Sequence, residues 1–147
     1  MRARGRDRER GASLVEFAFV VPLLALFLFG IVQFGLAYDN KQSLNSAARE
    51  GGRFASLSTS PVTGTAAAPG IVERAESSFL GAGGGTVDVR VEQPLGTPRS
   101  GSYKPCEAPT GNEIVAVIVE LDHPVDIPFW GRRIVQMEAK AEFRCES

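Results

Sequence analysis

Between Glu16 and Asp39 the chain runs for 22 residues without a charge, and most of these are Leu, Phe, Val, Ile or Ala. At ~1.5 Å of rise per residue, a helix over such a run crosses the roughly 30 Å hydrocarbon core of a bilayer. The apolar stretch as a whole extends from Gly11 to Tyr38, and Glu16 is the one charge set inside its start. An unpaired carboxylate there costs a few kcal/mol. Any account of this chain has to give Glu16 a reason.

The flanking charges give an orientation. Arg2, Arg4, Arg6, Arg8 and Arg10 outnumber Asp7 and Glu9, so the first ten residues are net basic; they show no apolar face and read as a disordered leader. The remainder is net acidic. Arginines beside one end of a membrane segment favour the cytoplasmic side, which puts the long C-terminal part outside. A nucleic-acid role for the arginines is the weaker reading, since topology is the commoner reason for such a run. Cys106 and Cys145 both fall in the part placed outside, where disulfides persist.

Three readings fit residues 12–38. A cleaved secretory signal has a shorter apolar core followed by a small-x-small site, and Leu36-Ala37-Tyr38-Asp39 supplies a poor one. An ordinary membrane anchor fits the length but leaves Glu16 unexplained. A pilin-type leader cut after Gly11 explains it. Ala12 becomes the new N-terminus, Glu16 its fifth residue, and the carboxylate faces the free amine of a neighbouring subunit once helices bundle, so the charge is paired across an assembly. Pro22 lacks a backbone donor and predicts a local bend.

Past Asp39 the composition changes but the helical period persists, with Leu44, Ala47, Ala48, Gly51, Phe54 and Ala55 on one face. The helix is therefore expected to continue to about Ala55, with fraying or a bend at Gly51-Gly52. Two blocks, Arg10-Gly11-Ala12-Ser13-Leu14-Val15-Glu16-Phe17 with the apolar run behind it, and Asn45-Ser46-Ala47-Ala48-Arg49-Glu50-Gly51-Gly52-Arg53-Phe54-Ala55, resemble the TadE-like pseudopilins of tight-adherence (Flp) pilus systems. The resemblance covers about the first 57 residues. It implies cleavage between Gly11 and Ala12 by a prepilin peptidase of the TadV type, with Glu16 and Phe17 completing the processing motif. It also implies a minor, pilin-like role in building or anchoring the pilus. Ala12 stands where many type IV pilins have Phe.

Leu57–Gly70 is rich in Ser, Thr, Gly, Ala and Pro and reads as a linker. Ile71–Leu80 predicts a short amphipathic helix ended by the glycines from Gly81 on. Thr86–Glu92 alternates strictly, Glu113–Asp122 is almost continuously apolar and β-branched, and Ile134–Arg144 alternates with Val135, Met137, Ala139, Ala141 and Phe143 toward a core. Residues 93–112 predict a long irregular loop and Asp126–Gly131 a turn, with Phe129-Trp130 either packed beneath it or held as a partner contact. His123, followed by Pro124, marks a strand end.

The expected class is α+β. A basic cytoplasmic leader occupies 1–11, a transmembrane helix 12–38, its extension 39–57 and a linker 58–70. An extracytoplasmic domain with a short helix and a three-stranded antiparallel sheet fills 71–147. Cys106 and Cys145 are most simply a disulfide. Metal binding with His123 is the alternative, and no Cys-x-x-Cys or His-x-x-x-His spacing supports it. No nucleophile elbow or phosphate loop is present, so neither an enzymatic activity nor a cofactor is expected. The expected partners are the membrane, a prepilin peptidase, other pilin or pseudopilin subunits and the pilus assembly machinery, with no nucleic acid. The rival reading is an unprocessed single-pass membrane-anchored extracytoplasmic binding module.

Overall fold

The computed structural model describes residues 4–57, 60–65, 67–82, 85–107, 113–127 and 131–146, the first nine of these by backbone alone. The elements are α1 (Arg4–Leu57), α2 (Ile71–Ser77), β1 (Thr86–Glu92), β2 (Pro98–Arg99), β3 (Ile114–Ile127) and β4 (Gly131–Arg144). The chain divides into two compact units, residues 1–35 and 36–147.

Among its described residues the first unit is helix alone. It begins at Arg4, so most of the leader is helical where disorder is expected. Arg and Glu are good helix formers, and residues added to an existing helix escape the cost of nucleation. The helix runs without interruption through Pro22.

The second unit is built on a sheet of order β2-β1-β3-β4, antiparallel at every pairing. Val87, Val89 and Val91 of β1 stand opposite Leu121, Val119 and Val117 of β3, which in turn stand opposite Met137, Ala139 and Ala141 of β4. This apolar face packs with Leu44, Ala47, Ala48 and Ala55 of α1 and Ile71 and Ala75 of α2 into one core. Burying a side chain such as Leu44 or Ile71 completely is worth about 1.5–3 kcal/mol. The other face carries Arg90, paired with Glu120, and Lys140, paired with Glu142. Ile118 stands between Arg90 and Lys140 in the register and is only 5 % exposed. Long charged side chains cover apolar neighbours with their stems in this way.

Gly51 and Gly52 lie inside α1 with no break. A Cβ at Gly51 would stand 2.9 Å from the Ala75 Cβ and 3.2 Å from a Val117 methyl, and one at Gly52 would meet the Phe143 ring. The two glycines let helix, sheet and α2 approach closely, which offsets their poor helix propensity and explains why the helix does not fray there.

The antiparallel α+β fold is as expected, with four differences of detail. A fourth strand, β2, arises inside the 93–112 loop, paired through Val91↔Arg99 and Glu92↔Pro98. The short helix ends at Ser77, not Leu80: the Ser77 and Ser78 hydroxyls donate to the Arg74 carbonyl, competing with another helical turn. Leu80 is therefore 85 % exposed. β3 continues through His123-Pro124 to Ile127, and β4 already begins at Gly131. Pro124 is tolerated because β1 stops pairing at Asp122, so β3 has a partner on one side only beyond that point. Phe129-Trp130 and Gly83-Gly84 lie outside the described residues.

Candidate functional site

Gly11, Ala12, Glu16 and Phe17 follow one another along the first unit's helix, within the backbone of α1. Glu16 is exposed, and no described residue makes an ion pair or hydrogen bond with it. Phe17 is 67 % exposed, and Leu14, Phe19, Leu24, Phe27 and Phe34 are likewise open on all sides of the helix. A helix apolar all round and unburied is suited to lipid or to other helices rather than to a soluble core. The helix from Ser13 is long and apolar enough to cross a membrane, with a mean hydropathy of 2.5 over its most apolar 18 residues. Gly30 and Gly35 have open space where a side chain would stand, so among the described residues they meet nothing.

In the second unit the described part of the linker, residues 60–65 and 67–70, turns back on itself. Thr65 and Ala68 bridge, and the backbone N–H groups of Val62 and Thr63 donate to the Tyr103 and Gly101 carbonyls at 2.8 and 3.0 Å. Glu73 holds this turn to α2: its carboxylate accepts from the Gly64 N–H at 3.0 Å and from the Gly70 N–H at 2.9 Å. Burial would push the Glu73 carboxyl up, but the backbone donors of Glu73 itself, Gly64 and Gly70 together hold it below the ordinary carboxylate value.

Cys106 and Cys145 are joined by a disulfide, with Cα atoms 5.4 Å apart and both residues buried. The bridge ties the 93–112 loop to the end of β4. Beside it, Gln93 is 4 % exposed and fully engaged: it donates to Glu113 at 3.1 Å and accepts from the Tyr103 hydroxyl at 3.2 Å. The Arg99 guanidinium stacks over the Tyr103 ring at 4.5 Å and donates to the Gln93 carbonyl at 2.7 Å. These residues line an open cavity of about 650 Å³ with Leu95 and Ile114. Its polar walls bond to one another, which makes it a brace for the loop.

His123 is not a metal ligand with the cysteines. It is 1 % exposed, and its Nδ1 lies 3.0 Å from the Asn40 Nδ2. Asn40 is buried too, and the Asn40 Oδ1 and His123 Nε2 have no partner among the described residues. No group of three or more His, Cys, Asp or Glu suited to a metal occurs among the described residues. Sequence reasoning missed the Asn40–His123 pair. Its only trace is a lone polar residue, Asn40, four positions before Leu44 on the core face.

Among known families, residues 11–53 match the model described as TadE-like protein. Neither a curated protein nor a solved structure matched the chain.

Proposed function

Taking the chain as a TadE-like protein by its residues 11–53, we propose that it is a minor pilin-like subunit. A prepilin peptidase cuts it after Gly11, and it acts in the assembly or anchoring of a tight-adherence (Flp) pilus. The observation that carries this reading is that the family match begins at Gly11 and takes in Glu16, the single charge at the head of an exposed apolar helix. Cleavage would leave Ala12 as a cationic amine, and a neighbouring subunit's amine is the partner that Glu16 lacks among the described residues of its own chain. The C-terminal domain then stands outside the cytoplasmic membrane, where its disulfide is stable. The chemistry is done to this chain by another enzyme, and its own part is structural.

The test is the N-terminus of membrane-embedded protein, made with and without a co-expressed prepilin peptidase. The expected terminus with the peptidase is Ala12, and Gly11→Ala should prevent the cut. An intact Met1 or Arg2 in the presence of a competent peptidase would refute processing and favour an unprocessed, membrane-anchored binding module.

A further inference from the structure

Beyond Asp122, β3 loses β1 and continues with β4 alone, as an arm paired from His123↔Val135 to Ile127↔Gly131. The core ends with the first residue of the arm, the buried His123, yet the rest of the arm is not polar. Ile127, Ile134 and Val135 are 39 %, 66 % and 43 % exposed, while Arg133 and the Asp126–Arg132 ion pair flank them. Ile127, Ile134 and Val135 gain nothing by standing in water.

The register between helix and sheet inside the second unit fixes which end this is. Asn40 meets His123, Gly51 lies against Val117, Gly52 against Phe143, and the Ser56 carbonyl accepts from the Glu146 N–H. Going back along the helix from Ser56 toward Leu36 therefore means going along β3 toward Ile127. The four residues from His123 to Ile127 extend the arm by about 13 Å, whereas the four from Asn40 to Leu36 rise only about 6 Å. The arm thus projects beyond the Leu36 end of the unit, the end at which the chain joins the uncharged run. A second element brings an apolar residue to the same end: the Ser43 hydroxyl accepts from the Leu80 N–H at 2.8 Å, and Leu80 is the most exposed large hydrophobic of this unit, at 85 %.

We infer that this end of the domain rests on lipid. Ile127, Ile134, Val135 and Leu80 enter the headgroup–acyl boundary of the bilayer that the apolar helix crosses, and the exposed Arg132 and Arg133 meet anionic headgroups. The inference depends on residues 13–38 being a membrane span. It adds that the domain is seated on the surface and does not swing free on a stalk. Lipid is the occupant that continuity favours, because the Leu36 end has to lie near the membrane surface whatever else the domain touches.

The test uses the full chain in phosphatidylcholine–phosphatidylglycerol liposomes, disulfide intact, with a nitroxide on one introduced cysteine at a time. Leu24→Cys reports the span, Ile134→Cys and Leu80→Cys the proposed contact, and Ser100→Cys, exposed on the β2 loop at the other end, serves as the aqueous reference. All four positions are exposed, so labelling leaves the core intact. The ratio of collision with oxygen to collision with a water-soluble nickel chelate should be several-fold higher at Ile134 and Leu80 than at Ser100, and higher still at Leu24. If Leu24 is in lipid while Ile134 and Leu80 match Ser100, the seating is overturned and the span stands. If Leu24 itself is aqueous, the span reading fails and the seating falls with it.

Discussion

Replacing Gly52 by alanine separates two forces that act in opposite directions on the same helix. Helix propensity alone favours the change by about 1 kcal/mol, since alanine restricts the unfolded backbone and glycine does not. Packing opposes it. A Cβ at Gly52 would lie 2.4 Å from the Phe143 Cδ2 and 2.5 Å from its Cε2, so the ring would have to retreat by about 1 Å to restore ordinary contact. Phe143 packs against the core formed with Ala47, Ala48 and Val117, and forcing a methyl into a packed core costs about 1–3 kcal/mol. Packing wins. Gly52→Ala should destabilise the domain by about 1 kcal/mol net, lowering the urea midpoint of the full-length protein in mild detergent by about 0.5 M with the slope unchanged. Gly30→Ala is the control: a Cβ there meets nothing, so the midpoint should hold or rise. Adding Phe143→Leu should recover most of the loss caused by the alanine, a coupling of about 1 kcal/mol between neighbours. If Gly52→Ala raised the midpoint as Gly30→Ala does, the close approach of helix and sheet would not be what the glycine is for.

Two further expectations concern the second unit. The Glu73 carboxyl is held below its ordinary value by the backbone donors of Gly64 and Gly70 against the opposing effect of burial. Its contribution is therefore complete above the ordinary carboxylate range and lost as pH falls through the depressed folded value. Acid titration of unfolding should show this limb, and Glu73→Gln should flatten it while costing about 1 kcal/mol at neutral pH. The Cys106–Cys145 bridge spans 39 residues, for which chain entropy gives about 4 kcal/mol. Replacing both cysteines by alanine should lower unfolding free energy by up to that amount, and thiol labelling of unreduced protein should find neither cysteine reactive.

What could be read from the residues alone follows from where the core is. Val87, Val89 and Val91 alternate because one face of β1 is buried, and the β-branched run from Ile114 is nearly continuous because long charged neighbours shelter its outer face as well. The same logic explains what stayed hidden. β2 is two residues, Pro98 and Arg99, held by pairing with β1 and by the loop around it, so it has no period of its own. Past the buried His123 the arm leaves the core, and Asp126, Arg132 and Arg133 break the pattern that would announce a strand. Gly51 and Gly52 read locally as weak points and are instead contact points, a distinction that only the facing residues Ala75 and Phe143 make. The Gly11–Glu16 motif is different in kind. It is legible as charge against an apolar ground, and no folded feature among the described residues carries it further; under the proposed processing its chemistry would belong to a peptidase.

The buried pair of Asn40 and His123 bears on how the domain holds its helix. Apart from Leu44 and Phe54, the face that α1 turns to the core is made of small residues, Ala47, Ala48, Gly51, Gly52 and Ala55, and such a stretch resists sliding poorly. A slip of one helical turn, ~5.4 Å, would bring Leu36 or Leu44 to His123 in place of Asn40. That would leave the His123 Nδ1 buried without its partner, at about 1–3 kcal/mol. The pair acts as a detent. A pull along the helix axis is carried into the sheet at one defined register.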